Sequence, residues 1–207
     1  MQVQGLSVRR GAELLFQGLD CSLRAGELVW LRGSNGSGKT SLLRVIAGLA
    51  TPEGGTVRWN GVPAHRSSQF RSQLVFVGHS NALKDDLTAL EALQFLTTLH
   101  ARHWPQDRLE AAMRRMGVHH RRRLLVRTLS QGQRRRLGLC RLALEDRAGF
   151  WVLDEPFEAL DAAGVQLVQE LLVQNVQRGG TVLFTSHIPI QPEGQAVTEL
   201  HLPGARA

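Results

Sequence analysis

The chain of 207 residues contains no tyrosine, two cysteines and, among 25 basic residues, only two lysines, Lys39 and Lys84. Cys21 and Cys140 stand far apart and form no Cys-x-x-Cys pair. That leaves a disulfide without support and points to reduced, buried thiols of a cytosolic protein. No apolar run approaches the roughly 20 residues of a membrane span. Met1-Gln2-Val3-Gln4 lacks the basic-then-apolar layout of a signal peptide. Internal repeats, low-complexity tracts and long linkers are also missing. An apolar fraction of 43% and a charged fraction of 21% are ordinary for a soluble globular chain of a size that buries a sizeable core.

Arginine is in excess, and unevenly so. Residues 101–150 hold 13 Arg against four acids, a balance of +9, while the rest of the chain sums to −2. Such a block suits an acidic protein or an anionic membrane surface, though a solvated helical face has the same composition. Nucleic acid is not expected as a partner, because no aromatic residues are interleaved for stacking.

Against so much arginine, Lys39 is conspicuous. It lies in Gly33-Ser34-Asn35-Gly36-Ser37-Gly38-Lys39-Thr40, between the apolar run Leu28–Leu31 and a helical pattern that opens at Ser41. Strand, glycine-rich turn and helix is the context of a phosphate-binding loop. The glycines let backbone N–H groups turn onto an anion, and the helix adds the positive end of its dipole. Lys39 would reach the β- and γ-phosphates and Thr40 would ligate Mg²⁺. At the chain's own residue frequencies, roughly 0.002 accidental matches to this motif are expected. The pattern therefore predicts binding of a nucleoside triphosphate.

The remaining elements alternate. Strands are predicted over Val3–Val8, Leu19–Leu23, Glu27–Leu31, Thr56–Trp59, Leu74–Val77, Phe150–Leu153, Thr181–Thr185 and around Val197–Leu202. Asn60-Gly61 marks a tight turn. A helical block of about 60 residues lies between them. One of its helices opens at Thr88 with a capping box and runs towards His103. A second has Pro105 in its first turn, and a third starts at Ser130, with Leu137, Cys140 and Leu144 on one face and Arg134, Arg135 and Arg141 elsewhere. A last helix begins at Asp161. The layout is α/β: a phosphate-loop nucleotide-binding core over 1–87 and 148–207, with an antiparallel β part at its N-terminus and a helical subdomain, 88–147, inserted.

Further chemistry sits at the ends of these elements. Asp154 closes an apolar strand, where a carboxylate helps hold Mg²⁺, and Glu155 beside it is placed to act on the attacking water. Ser130 caps a helix start and Gly132 permits close backbone approach, which together form a second anion site.

Leu129-Ser130-Gln131-Gly132-Gln133 resembles the signature motif of ABC-type ATPases. The phosphate loop, Asp154-Glu155, Glu158-Ala159-Leu160-Asp161 and Thr185-Ser186-His187 surround it in that family's order. The resemblance implies a head-to-tail homodimer in the ATP-bound state with two ATP molecules at its interface. Each phosphate loop, Gly33 to Ser41, would face the partner copy's Ser130, Gly132 and Gln133. Glu155 would act on water, His187 would contact the γ-phosphate and Asp161 would communicate across the interface. Two positions depart from the family pattern. His79 stands where a glutamine normally touches Mg²⁺ and links to the membrane subunit; imidazole can accept a hydrogen bond or ligate a cation. Arg10 aligns with the aromatic residue that stacks on adenine, and a guanidinium can stack on a ring. Phe16 is the other candidate, although a core position suits it better.

Within the family, Gly33-Ser34-Asn35-Gly36, Gly78-His79 and Leu153-Asp154-Glu155-Pro156-Phe157 resemble the ATP-binding subunits of the haem exporter of cytochrome c maturation. That resemblance implies ATP hydrolysis with Mg²⁺, separate integral membrane subunits, and a peripheral position on the cytoplasmic face of the bacterial inner membrane. No direct haem contact is expected: His119-His120 beside Arg121-Arg122-Arg123 reads as exposed surface. A lipid or peptide exporter subunit, or a non-transport ABC ATPase acting on nucleic acid or the ribosome, is the alternative.

Overall fold

The computed structural model describes residues 1–99 and 103–202. In chain order the elements are β1 (Gln2–Arg10), β2 (Glu13–Ser22), β3 (Leu28–Arg32), α1 (Lys39–Ile46), β4 (Gly54–Trp59), β5 (Val62–Pro63), α2 (Ser68–Gln73) and β6 (Leu74–Val77). They continue with α3 (Ala89–Leu99), α4 (Gln106–Arg115), α5 (Gln131–Leu144), β7 (Phe150–Leu153), α6 (Ala162–Gln177), β8 (Thr181–Thr185) and β9 (Val197–His201). The expected α/β layout is present, as one sheet in the order β2-β1-β4-β5 and a second in the order β6-β7-β8-β3-β9. The chain divides into two compact units, one of Met1–Phe76, Ala148–Asp154 and Leu172 onward, the other of Val77–Arg147 and Glu155–Leu171.

In the first unit, β7 and β8 are buried along their whole length, as is β3 apart from its last residue. β3 pairs in parallel with β8 and β9, and β7 with β8. Continuous apolar runs are what a parallel strand covered on both faces requires. Trp30 stacks on Phe184 across the β3–β8 pair, and Phe70, Phe150 and Trp59 form an aromatic cluster with centroids 5.4–5.7 Å apart. Such pairs add about 0.5–1.5 kcal/mol each beyond their burial.

The N-terminal hairpin differs from its sequence reading. β2 begins at Glu13, well before Leu19, so Gly18 lies inside a strand, as Gly5 does in β1. Both adopt positive φ, 58° and 69°, and both sit at register shifts. Each bulge adds a residue, so Val3 and Leu6 on β1, and Phe16 and Leu19 on β2, face the core although three positions apart. Side chains accept from the displaced amides: Gly5 N–H donates to Asp20 Oδ1 at 2.7 Å and Gly18 N–H to Ser7 Oγ at 3.2 Å. Asn60-Gly61 forms the predicted two-residue turn, with φ of 48° and 82° and Trp59 paired to Val62.

The second unit carries α3, α4 and α5. Thr88 and Glu91 exchange the expected capping bonds, and α3 is described to Leu99; the predicted continuation through 100–102 lies outside the described residues. Pro105 is the N-cap of α4, one position before its first turn. Leu137, Cys140 and Leu144 of α5 are buried as predicted, but so is Arg135, at 3% exposure. Arg135, placed by the sequence away from that apolar face together with Arg134 and Arg141, is thus buried where those two are only partly so. His119 Nε2 lies 3.0 Å from Glu110, whose carboxyl is lowered to about 2, first by the Gln106 hydrogen bond and then by His119. Both cysteines are free thiols: burial, aided by Asp20, pushes Cys21 up to about 11, and burial pushes Cys140 higher still.

The apolar face of α6 includes one polar exception. Asn175 is fully buried and clamps the residue before β7, its Oδ1 accepting from Gly149 N–H at 2.9 Å and its Nδ2 donating to Gly149 O at 3.0 Å. Asn175→Ala should cost about 1–3 kcal/mol, because it leaves the buried Gly149 N–H without its acceptor, whereas Gly149 O keeps the Thr181 N–H at 3.0 Å. The shift of the urea unfolding midpoint measures it; an unchanged midpoint would show that the clamp is dispensable.

Candidate functional site

In the first unit, the segment between β3 and α1 wraps the start of a helix. Gly38 caps α1 at φ 96°, a conformation suited to glycine, and a Cβ there would crowd Leu15 and Phe16 at 3.1–3.3 Å. Ser37 N–H donates to Ser34 O at 3.2 Å, and the first helical bond runs from Leu42 N–H to Gly38 O at 2.8 Å. The N–H groups at the start of a helix lack intrahelical acceptors, so those of Lys39, Thr40 and Ser41 emerge where the dipole is positive. Lys39 Nζ donates to Gly33 O at 2.8 Å and Ser34 O at 3.0 Å, which holds the ammonium over the loop. The Ser37 hydroxyl is buried without a hydrogen-bond partner among the described residues, 2.7 Å from where a Cβ on Gly33 would lie. Close backbone, a lone ammonium and converging donors suit a phosphate chain.

Asp154 follows β7 and is 3% exposed. Its Oδ2 accepts from Thr40 Oγ1 at 2.8 Å and its Oδ1 from Thr185 Oγ1 at 2.9 Å. The carboxylate thus joins the first turn of α1 to the ends of two strands. Sequence reading did not find Thr185 as a partner of Asp154. Strand register supplies the missing signal, since Leu153 pairs with Phe184 and the next residues lie side by side. Among the described residues no group of three or more His, Cys, Asp and Glu could hold a metal ion. The donor set at Asp154, one carboxylate and one hydroxyl, fits Mg²⁺ that takes its other ligands from phosphate and water.

His187 follows β8 and lines a cavity of about 400 Å³ with Lys39, Gly33, Trp30, Arg32 and His201. Trp30 Nε1 donates to Ser186 O at 3.3 Å, which fixes the peptide before it. A larger cavity, about 680 Å³, lies along β4 and the residues after α1, and contains none of the motif side chains. Arg10 is exposed and pairs with Glu13 at 3.7 Å, whereas Phe16 is buried in the core.

The second unit holds the other predicted residues. Ser130 and Gln133 form a full capping box at the start of α5: Gln133 N–H donates to Ser130 Oγ at 3.3 Å and Ser130 N–H to Gln133 Oε1 at 3.1 Å. Gly132 has a structural requirement of its own, since a Cβ would stand 2.8 Å from Ala159 O. Asp161 caps α6 through Gly164 N–H at 3.0 Å and pairs with Arg136. Those two contacts, Gly164 first, hold its carboxyl below the usual range. His79 Nδ1 lies 3.0 Å from Glu158 Oε2. Glu155 has φ 50°, a left-handed backbone for a side chain other than glycine.

Comparison with known proteins agrees with these features. Residues 16–158 match the sequence profile described as "ABC transporter". The chain is 44% identical over 193 residues to the cytochrome c biogenesis ATP-binding export protein CcmA of Methylococcus capsulatus, covering 92% of each chain. It is 41% identical over 203 residues to the CcmA of Dechloromonas aromatica, covering 98% of this chain and 99% of the relative. Among solved structures, the dimeric bacterial ABC transporter cassette MJ0796 superposes with a TM-score of 0.78 at 22% identity, covering 90% of this chain and 88% of the cassette. The same cassette in a post-hydrolysis state with ADP and Pi superposes with a TM-score of 0.76 at 22% identity, over the same shares of both chains. With a phosphate loop, a strand-end carboxylate on its threonine and a capped signature helix all in place, the chain belongs to the ABC transporter family, and within it to the group of cytochrome c biogenesis ATP-binding export proteins.

Proposed function

We propose that this chain is the ATP-hydrolysing subunit of a transporter serving cytochrome c maturation, coupled to haem export or delivery. It works with separate integral membrane subunits at the cytoplasmic face of the bacterial inner membrane. The observation that carries this reading is identity above 40% along nearly the whole length of proteins of that name. No helix among the described residues is long and apolar enough to cross a membrane, which accords with a peripheral subunit.

In this reading the backbone of Gly33–Thr40 and the Lys39 ammonium bind the triphosphate. Thr40 and Asp154 would hold Mg²⁺, which when bound would supply neutralisation of the phosphate charge. Thr185 keeps Asp154 turned towards Thr40. Glu155 orients and deprotonates the attacking water, and His187 donates to the γ-phosphate. Arg10 is the residue available to stack on the base. A second copy, arranged head to tail, brings its Ser130, Gly132 and Gln133 onto the same phosphate, with Asp161 at the interface. Binding of the γ-phosphate closes the pair and hydrolysis releases it. His79, paired with Glu158, takes the place of the coupling glutamine between nucleotide and membrane subunit. The domain division proposed is a nucleotide core of 1–87 and 148–207 with a helical insertion of 88–147.

Four variants test this. Lys39→Ala should abolish ATP binding in an equilibrium titration, and retained affinity would refute the phosphate-loop assignment. Glu155→Gln should keep ATP affinity, lose roughly 10²–10⁴ in turnover and accumulate an ATP-dependent dimer by light scattering; a monomeric ATP-bound variant would count against the sandwich. In complexes with the membrane subunits, His79→Gln should sustain transport and His79→Ala should uncouple it from hydrolysis. Equal transport by the two would remove His79 from the mechanism.

A further inference from the structure

The geometry points to Arg135 as a positioning residue for hydrolysis, one that sets the Glu155 backbone and the loop after β6 together; this rests on the role of Glu155 proposed above. Arg135 lies five residues after Ser130 on α5, with 3% of its surface exposed. Burying a guanidinium is costly unless its donors are met, and an apolar side chain of similar volume often stabilises as well or better. A cation kept here is explained by what its planar fork can reach. Nη1 donates to Gly78 O and to Asn81 Oδ1, both at 3.1 Å, with His79 O at 3.5 Å. Nη2 donates to Glu155 O at 2.5 Å. One nitrogen holds the loop that bears His79; the other holds the peptide of the proposed base.

Both held segments are backbone-strained. Glu155 and Ala82 have φ of 50° and 51°, left-handed values that are costly for a residue with a Cβ and persist only where the surroundings impose them. The Glu155 carbonyl also accepts from Glu158 N–H at 3.2 Å, closing a tight turn beneath the charged grip. The helix surface is shaped for the loop as well: a Cβ on Gly138 would stand 3.2 Å from Asn81 Oδ1, tighter than ordinary contact. Arg135 therefore links three parts of one unit, namely the α5 helix that Ser130 caps, the His79 loop and Glu155. Without it, the Glu155 carbonyl loses its charged donor, and the left-handed conformation that directs the carboxylate is held less firmly. The phosphate loop, Thr40 and Asp154 are held by hydrogen bonds of their own, so the loss falls on turnover and not on nucleotide affinity.

Steady-state ATPase kinetics and equilibrium ATP binding on the full chain test this, with Arg135→Ala, Arg135→Lys and a Glu155→Gln control. Arg135→Ala should lower kcat by roughly ten- to a hundred-fold, the scale of a catalytic group displaced by about 1 Å, with KM for ATP and the binding constant within about two-fold. Free guanidinium at low millimolar concentration should restore part of that kcat. One ammonium cannot reach both Glu155 O and the Gly78–Asn81 group, so Arg135→Lys should also lose kcat at unchanged KM, and it decides the matter if Arg135→Ala does not fold. Wild-type kcat in Arg135→Lys, or loss of ATP affinity in parallel with turnover, overturns the assignment. If Glu155→Gln itself retains full turnover, the role given to Glu155 fails, and that result is distinct from a failure at Arg135 alone.

Discussion

The carboxylate of Asp154 ties the start of α1 to the ends of β7 and β8 in the first unit. It is almost fully buried, and its two oxygens accept from Thr40 on α1 and Thr185 on β8. A buried carboxylate is tolerated only when hydrogen-bonded, so the start of α1 and the ends of β7 and β8 must stay in register with one another. The phosphate loop inherits its position from that requirement, because Lys39 and Thr40 are the first two residues of the helix that Asp154 holds. The same bond sets the Thr40 hydroxyl beside the charge that a divalent cation would share.

Around this centre, particular backbone exceptions set the packing. Gly5 and Gly18 each add a residue to a strand, and so keep Val3, Leu6, Phe16 and Leu19 on the core face of the hairpin. Phe16 and its neighbour Leu15 then pack against Gly38, the cap of α1. The bulged hairpin thereby supports the phosphate loop from below, and this is the physical reason that Phe16 belongs to the core and not to a base-stacking surface. Glu155 and Ala159, left-handed without being glycine, flank the short turn that leads to α6. Strain of this kind is retained where the surroundings impose a geometry that function uses.

In the second unit, polar side chains are committed to the turns between elements. Ser130 and Gln133 cap α5 reciprocally, Asp161 caps α6 and pairs with Arg136, and Arg135 reaches the loop after β6 and the Glu155 peptide. α5 thus carries a cap at its start, a buried cation one turn later and a close glycine contact to Ala159. Residues proposed above for ligand contact therefore also hold their own chain together. A substitution at Gly132 would disturb the chain's own packing against Ala159 O, whatever its effect on the proposed contact.

The sequence alone determined whatever depends on adjacent residues. The glycine loop, the caps at Thr88, Ser130 and Asp161, the Asn60-Gly61 turn and the fully apolar strands β7 and β8 are legible because a local backbone conformation selects particular residue types in consecutive positions. The order of the motifs along the chain identified the family for the same reason. Only the tertiary structure decided which distant groups meet. Thr40, Asp154 and Thr185 are brought together by strand order, the burial of Arg135 by the loop it faces, and the Asn175 clamp by the position of Gly149. No local pattern encodes these pairings. A buried polar group takes whichever partner the packing delivers, and that choice is made when the strands and helices assemble, not when each one forms.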